Sequence, residues 1–259
     1  MKISDVKDNI MPLRLAKLAP STTWSTLVDV CQLLGLDIKV QDKALDALFR
    51  HRLLKPGEKA YLDGQAFEAL YIVNAGFLKT VILDSDGNER VVSFPMRGDL
   101  LGSDGICADL HASEAIALSD CDLIVIPFKQ LMSLGRVCQD LEHIICRAVS
   151  RQIVQQNVNF VSFGNLRSDA RVARFLTLEV DRHTAMKFSS QCLRLRMTRR
   201  EIGSYLGLTL ETVSRSMSAL HAAGIIIVDQ REIKILRPLS LRYFQDPSIK
   251  TLHNTKVTN

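Results

Sequence analysis

The stretch that decides the fold is "RREIGSYLGLTLETVSRSMSALHAAG", residues 199–224. Two short helical patterns lie on either side of Gly207 and leave room only for a tight turn between them. In the second pattern Val213, Met217 and Leu220 recur at i, i+4 and i+7 and form one apolar stripe. Two helices joined by a glycine-containing turn predict a helix-turn-helix.

A polar stripe occupies the other side of the second helix, residues 209–222. Glu211, Ser214 and Arg215 lie at i, i+3 and i+4 and would point the same way. The second helix of such a pair enters the major groove of DNA, where Arg bonds guanine, Glu accepts from cytosine and Ser bonds either kind of base edge. The three residues are therefore candidate base readers. The alternative is a surface ion pair between Glu211 and Arg215.

The flanking segments favour a winged form of this motif. "QCLRLRMT" before the helices reads as a strand, and "IIIVDQREIKIL" after them reads as two strands around a turn, a small hairpin. Thr198, Arg199 and Thr209 stand near the helix starts. They are predicted to contact phosphates, which position a protein on DNA without specifying sequence.

Charge is distributed unevenly along the chain. The net charge of the 259 residues is +5, yet residues 164–259 hold 16 Lys and Arg against 8 Asp and Glu. Residues 1–163 hold 17 against 20. A basic C-terminal third indicates a polyanionic partner, and with the helical motif that partner is double-stranded DNA.

The N-terminal part has a different pattern of apolar and polar residues. "QDKALDALFRHRLL", residues 41–54, is an amphipathic segment with Leu45, Leu48 and Phe49 on one face. Residues 55–128 then break into short apolar or alternating runs divided by turn signals, which predicts a β-barrel or sandwich. "DSDGN", residues 84–88, is predicted to be a hairpin tip.

One long helix is predicted over residues 129–163. Apolar residues recur there every three or four positions, and they include Leu134, Val137, Leu141, Ile144, Ala148 and Ile153. Such a seam predicts pairing with a second copy of the helix. The alternative is a helix packed along its own β-domain.

"MTRREIGSYLGLTLETVSRSMSALHAAGII", residues 197–226, resembles the DNA-binding domain of the CRP/FNR superfamily of bacterial transcription regulators. The resemblance implies an α+β fold with an N-terminal β-roll (a double-stranded β-helix of the cyclic-nucleotide-binding type), a long dimerisation helix and a C-terminal winged helix-turn-helix. The implied divisions are a lead-in with a degenerate cluster loop (1–30), the β-roll sensory domain (31–128), the dimerisation helix (129–163), the DNA-binding domain (164–240) and a tail (241–259).

Within the superfamily "ETVSR", residues 211–215, has the Glu-x-x-Ser-Arg arrangement of the FNR branch. That resemblance implies that Glu211, Ser214 and Arg215 read a TTGAT half-site, presented twice as an inverted repeat, and that the protein is a homodimer. It also implies a contact between the 84–88 hairpin and RNA polymerase. Activation and repression are not separated by the sequence.

The FNR branch holds a [4Fe–4S] cluster on four cysteines. Aligned with that pattern, only Cys31 matches a ligand position, whereas Thr22, Ser25 and Ile124 occupy the other three. Two hydroxyls and an aliphatic side chain cannot supply the thiolates that a cluster needs. The sequence therefore argues against a cluster, and no metal ligands are predicted.

The CRP branch binds cAMP through a cassette with an Arg at the phosphate. The corresponding stretch, residues 98–118, has no Arg, and His111, Ser113 and Glu114 stand there instead. Glu114 would repel a phosphate, so cAMP binding is not expected either. His51, His111 or a cysteine could ligate haem, but a lone His is a weak signal.

Three kinds of signal stay open: an unidentified small effector in the β-roll, a thiol switch at Cys31 or Cys107, or control by abundance alone. The six cysteines are scattered and form no CxxC pair, so most are expected to be buried and reduced. The cofactor is unknown.

No apolar run approaches the roughly 20 residues of a membrane span, and no signal peptide is visible, so a cytoplasmic protein without a membrane partner is expected. A cupin-like barrel enzyme is the rival class. The region 55–128 has a single His and no H-x-H spacing, so no enzyme is predicted.

Overall fold

The computed structural model describes residues 24–35, 47–135, 139–164, 166–186 and 191–244. A β-rich N-terminal part is followed by helices and by a small helical domain with three strands. This is the α+β architecture that the sequence predicts.

Two antiparallel sheets form the β-roll. In chain order its strands are β1 (Trp24–Thr26), β2 (Leu48–Leu54), β3 (Lys59–Tyr61), β4 (Ala69–Ala75), β5 (Leu78–Leu83), β6 (Glu89–Ser93), β7 (Leu100–Leu101), β8 (Glu114–Ala117) and β9 (Cys121–Pro127). One sheet has the order β1-β2-β9-β4-β7 and the other β3-β8-β5-β6. Buried apolar side chains of both sheets, such as Val73, Leu78 and Leu123, share one core between them. The 84–88 segment joins β5 to β6 as a hairpin, as predicted.

Strand structure is present before residue 55, where the sequence pattern places the first β-rich run. Within the amphipathic segment 41–54 the described part is strand β2, in which Leu48 is exposed and Phe49 is buried. The prediction that both side chains share one face was wrong, because neighbouring residues of a strand point to opposite faces. Pairing of β2 with β9 decides the conformation here, and that pairing is not visible in the local pattern. Leu45 lies outside the described residues.

A short helix, α1 (Leu27–Leu33), packs on the roll. Thr26 caps it by accepting a hydrogen bond from the Asp29 N–H at 3.2 Å, and the Asp29 carboxylate accepts one from the Thr26 N–H at 2.7 Å. The helix buries Val30 and Cys31 against the roll. Of the predicted cluster-loop region, residues 24–30 therefore belong to the folded N-terminal domain, and residues 1–23 lie outside the described residues.

The described residues of the helix predicted over 129–163 form two helical stretches. They are α2 (Phe128–Gly135) and α3 (Gln139–Gly164), and residues 136–138 between them lie outside the described part.

The apolar positions of α3 divide between two environments. Ile144 and Ala148 are buried against the roll, so the alternative of packing on the chain's own β-domain holds for them. Ile153, Val154 and Val158 are about half exposed further along the helix. The helix therefore packs on the roll over its first part and leaves an apolar surface uncovered in the described chain over its second.

The C-terminal domain contains α4 (Ser168–Ala185), β10 (Cys192–Arg194), α5 (Arg199–Leu206), α6 (Leu210–Ala222), β11 (Ile226–Asp229), β12 (Glu232–Ile235) and α7 (Pro238–Tyr243). Its sheet has the order β10-β12-β11, with the β11–β12 hairpin as the wing. Helix α7 runs past the predicted domain end at residue 240 and buries Leu241, so the predicted tail 241–259 begins inside a helix.

The two domains share a hydrophobic core. Val91 and Phe94 of the roll belong to the same buried cluster as Phe175 of α4 and Leu206 of α5. Polar contacts surround this cluster, among them a hydrogen bond from the Val91 N–H to the Ser204 hydroxyl at 3.0 Å.

The cysteine expectation was wrong in part. Of the described cysteines only Cys31 and Cys121 are buried, whereas Cys107, Cys146 and Cys192 are exposed. Cysteine burial depends on which strand or helix face carries the residue, which composition does not reveal. None of the helices in the described ranges combines the length and hydropathy that a membrane crossing requires.

Candidate functional site

The first helix of the pair, α5, is fixed at both ends. Thr198 caps it by accepting from the Glu201 N–H at 3.2 Å, and the Glu201 carboxylate accepts from the Thr198 N–H at 2.7 Å. At its other end Gly207 adopts the left-handed conformation, with φ 65°. A Cβ on Gly203 would lie 2.6 Å from the Leu208 carbonyl oxygen, so the turn closes directly over that glycine.

The second helix, α6, has two distinct faces. Thr209 caps it by accepting from the Thr212 N–H at 3.2 Å. Val213, Met217 and Leu220 are buried, as the stripe predicts. On the other side Glu211 and Arg215 are exposed and Ser214 is half-buried.

Glu211 and Arg215 do not neutralise each other. Among the described residues no ion pair joins them, and the Arg215 guanidinium instead donates to the Thr212 hydroxyl at 3.4 Å. Hydrogen bonds from its own backbone N–H and from the Thr209 hydroxyl, together with the charges of Arg200 and Arg215, lower the pKa of Glu211. The helix therefore presents an ionised acceptor and a guanidinium side by side, which is what base-edge recognition needs.

The three predicted phosphate-contact residues lie at the start of their helices. The Thr198 and Thr209 hydroxyls are both used in capping, so their remaining hydrogen-bonding capacity is limited. Arg199 donates to the Gln230 carbonyl oxygen at 3.1 Å and so ties α5 to the tip of the wing. Gln230 itself takes a left-handed φ of 51° at that tip.

A basic cluster beside the wing adds to these contacts. It consists of Arg194, Arg196 and Arg231, and burial together with the charges of the other two lowers the pKa of Arg196. The Arg231 guanidinium donates to the Arg196 carbonyl oxygen at 3.3 Å. These residues are absent from the predicted contacts, although the alternation in "LRLR", residues 193–196, is a signal that could have indicated them.

Comparison with known proteins agrees with this geometry. The Crp-like helix-turn-helix domain matches residues 170–244, and the cyclic nucleotide-binding domain matches residues 51–136. The chain is 35% identical over 208 residues to the transcriptional regulatory protein btr of Bordetella pertussis, covering 80% of this chain and 86% of that protein. The chain belongs to the CRP/FNR family of transcription regulators. It is not an enzyme, as predicted.

Other members of the CRP/FNR family give the same result. The transcriptional activator protein Anr of Pseudomonas protegens is 33% identical over 216 residues, 83% of this chain and 88% of that protein. The structure of FixK2 from Bradyrhizobium japonicum superposes with a TM-score of 0.69 at 28% identity, covering 76% of this chain and 98% of that one. The predicted fold class, with its DNA-binding helix-turn-helix, is confirmed.

In this CRP/FNR chain the segment that corresponds to the phosphate cassette carries its own carboxylate. Asp104 accepts from the Ala112 N–H at 3.0 Å and from the Ser113 hydroxyl at 2.7 Å. The Ala112 N–H and the Ser113 hydroxyl are therefore already satisfied by an anion of the chain itself.

His111 and Glu114, which the sequence places in the same loop, are also engaged. His111 is buried and stacks on Tyr61, with ring centroids 3.9 Å apart. The Glu114 carboxylate pairs with the Lys59 ammonium at 2.6 Å. Both residues therefore help to hold the roll together.

The positions that align with the cluster ligands have different structural roles. Ser25 bonds the His51 Nε2 at 2.8 Å, and the His51 Nδ1 lies 2.8 Å from the Asp122 carboxylate, which ties β1 to β2 and β9. Ile124 is fully buried in β9, Cys31 is buried in α1, and Thr22 lies outside the described residues. Within the described ranges no group of three or more His, Cys, Asp and Glu could hold a metal ion.

Proposed function

We propose that the protein acts as a homodimer on double-stranded DNA and reads an FNR-type inverted repeat of TTGAT half-sites through α6. The observation that carries this proposal is the exposed face of α6, where Glu211 and Arg215 stand unpaired with each other beside Ser214. Arg215 would bond a guanine, Glu211 would accept from a cytosine, and Ser214 would bond either kind of base edge. Thr198, Arg199 and Thr209 would contact phosphates around them.

The homodimer is supported by the second part of α3. Its Ile153, Val154 and Val158 are about half exposed, whereas Ile144 and Ala148 nearer the start of the helix are buried. A second copy of the same helix would cover this surface and create the two-fold axis that an inverted repeat requires.

The effect on transcription would follow from contact with RNA polymerase or from occlusion of a promoter. The 84–88 hairpin supports the first route, because it is exposed at the tip of β5 and β6. Relatives such as Anr are named transcriptional activators. The domain divisions proposed above, 31–128, 129–163 and 164–240, assign sensing, pairing and DNA binding to successive parts of the chain.

Neither cAMP nor a [4Fe–4S] cluster is part of the proposal. The engagement of the Ala112 and Ser113 donors by Asp104 supports leaving cAMP out. The single matching cysteine, Cys31, supports leaving the cluster out. A small effector or a thiol such as Cys107 stays a candidate signal.

The test is fluorescence-anisotropy binding of aerobically purified protein to a duplex that contains the TTGAT/ATCAA palindrome. A shuffled duplex and a TGTGA-type palindrome are titrated at the same salt concentration, because phosphate contacts make affinity salt-dependent. We expect binding to the first duplex at least 100-fold tighter than to the shuffled one. Equal affinity for all three duplexes would refute the proposed site.

A further inference from the structure

A cavity of about 650 Å³ lies where the β-roll, α3 and the DNA-binding domain meet. Its walls come from residues 91–95 and 98–100 of the roll, from α3, from α4 and from the end of α5. Cavities of 300–1,000 Å³ are typical of small-molecule sites. This one is separate from the interior of the roll, where the family's cassette lies.

The cavity has an aromatic floor. Phe94 from the roll, Phe175 from α4 and Tyr205 from α5 contact one another, with ring centroids 5.2–6.1 Å apart. Burial raises the pKa of Tyr205 to about 12, so its hydroxyl is neutral near pH 7. A flat apolar molecule would find offset and edge-on ring partners here.

Two guanidinium groups on the walls have no carboxylate partner. Arg151 donates to the Leu34 carbonyl oxygen at 2.8 Å, and Arg171 donates to the carbonyl oxygens of Leu166 at 2.9 Å and Leu206 at 3.1 Å. Within the part of the chain that the structure describes, neither forms an ion pair. Each guanidinium has five N–H donors, so capacity for an anion is left.

Arg182, on the same wall, is different. It pairs with Asp99 and lies 3.5 Å from the Glu179 carboxylate, so its charge is already compensated. With Asp99 and Glu179 ionised, the five charged side chains of the wall carry one net positive charge, and its cations without a carboxylate partner are Arg151 and Arg171.

One buried acceptor completes the wall. The Asn159 side-chain amide donates to the Tyr205 hydroxyl at 3.1 Å, while its oxygen, Oδ1, is buried without a hydrogen-bond partner among the described atoms. An unsatisfied buried acceptor costs free energy that a donor brought by a ligand would recover.

We propose that this cavity binds an aromatic organic anion that carries a hydrogen-bond donor, and that its occupancy changes DNA affinity. The ring would lie on Phe94, Phe175 and Tyr205, the acid would face Arg151 and Arg171, and the donor would meet Asn159. The second half of the proposal rests on the proposed DNA-binding function. The ligand would contact α3 and α4 at once and so set the angle between the proposed pairing helix and the domain that carries α6.

The probe is 1-anilinonaphthalene-8-sulfonate, which has a naphthalene and a phenyl ring, a sulfonate and one N–H donor. Its neutral counterpart without the sulfonate, N-phenyl-1-naphthylamine, is titrated in parallel by fluorescence on the full chain. We expect saturable binding of the anionic probe to one site per chain. No saturable binding would overturn the proposal.

Two variants and one matched control locate the site. Gln155→Trp places an indole on the α3 wall and should weaken binding of the anionic probe at least tenfold, whereas Thr184→Trp, at an exposed position of α4 outside the cavity, should leave it unchanged. Arg151→Gln should weaken the anionic probe about tenfold and the neutral one less than twofold. Equal effects of the two tryptophans would overturn the location. Equal effects of Arg151→Gln on both probes would overturn the proposal that the cavity recognises the acidic group of its ligand.

Coupling is measured as the affinity for the TTGAT palindrome with and without saturating anionic probe. We expect a change of about 5- to 150-fold, and the palindrome should change probe affinity by the same factor. An unchanged affinity on a selective palindrome would overturn the coupling but not the DNA-binding function. If the palindrome is not selective while the variants still locate the probe, the proposed TTGAT site fails and the ligand-binding cavity stands.

Discussion

At the scale of single residues, Glu211, Ser214 and Arg215 could be placed from the sequence because their spacing is local. A 3.6-residue period fixes which side chains share a face of α6, whatever the rest of the chain does. The Arg199 contact with Gln230 could not be foreseen in this way. It joins residues 31 positions apart across a wing whose tip geometry is set by tertiary folding.

Arg215→Ala should remove sequence discrimination and keep general DNA affinity. A bidentate Arg–guanine contact discriminates by about 1–3 kcal/mol, so the ratio of affinities for palindrome and shuffled duplex should fall by about 5- to 150-fold. Anisotropy titrations at one salt concentration measure the ratio. Arg90→Ala, on the hairpin of the other domain, is the control and should leave it unchanged. Equal losses on both duplexes would contradict base reading by Arg215.

At the scale of elements, the helix-turn-helix was predictable because its signals are local. Thr198 with Glu201 forms a capping box, and Gly207 supplies the left-handed turn. Strand β2 was mispredicted because its conformation depends on pairing with β9, about 70 residues away in sequence. Packing on the roll likewise buries Ile144 and Ala148. The apolar periodicity of the helix alone could not show whether they pack on the roll or on a second copy of the helix.

Gly203→Ala should destabilise the DNA-binding domain. Its Cβ would lie 2.6 Å from the Leu208 carbonyl oxygen, so the turn must shift, at a cost of about 1–3 kcal/mol. Urea unfolding followed by circular dichroism measures the loss. Arg200→Ala makes the same kind of helix substitution at an exposed site and should stay within about 0.5 kcal/mol of the parent protein. An unchanged midpoint for Gly203→Ala would show that the turn can relax freely.

The basic cluster beside the wing should contribute charge rather than specificity. Removing a phosphate contact lowers the slope of log affinity against log salt by about 0.9. Arg194→Gln and Arg231→Gln should each reduce the slope by up to that amount, equally on palindromic and shuffled duplexes. Lys129→Gln, on α2, should not change it. A change confined to the palindrome would instead make the wing a base reader.

At the scale of the whole molecule, the docking of the two domains is the feature that the sequence did not indicate. Lys79 of β5 bridges Glu89 of β6 at 2.9 Å and Glu201 of α5 at 3.1 Å, so one ammonium joins the roll to the helix-turn-helix. Burial lowers the pKa of Lys79, but the two carboxylates more than compensate and the net shift is upward. Contacts of this kind join residues more than 100 positions apart and carry no local pattern.

Lys79→Met should cost about 1–2 kcal/mol of unfolding free energy at pH 7, because it leaves the partly buried Glu201 and the exposed Glu89 without their cation. Although burial raises it, hydrogen bonds from Thr198 and Lys79 hold the pKa of Glu201 below its ordinary value. Its ion pair therefore stabilises above the ordinary pKa and is lost as pH falls through the lowered one.

Urea midpoints from pH 7 to pH 3 test this prediction, and the difference between Lys79→Met and the parent protein should shrink at the acid end. Lys55→Met is the matched control, because Lys55 pairs with Asp120 on the exposed surface and should contribute at most about 0.5 kcal/mol. If the difference in urea midpoint between Lys79→Met and the parent protein does not depend on pH, the ion pair with Glu201 does not cause the loss of stability.

Because Asp104 is part of the chain, its bonds to the loop differ from those of a diffusible anion whose concentration changes with metabolism. A diffusible anion occupies its site in proportion to its concentration, which rises and falls with growth conditions. Asp104 is tethered within nine residues of the donors that it satisfies, so its effective concentration is constant. An anion of the chain itself therefore holds this loop at all times, and we expect the order of the loop not to follow the concentration of a nucleotide.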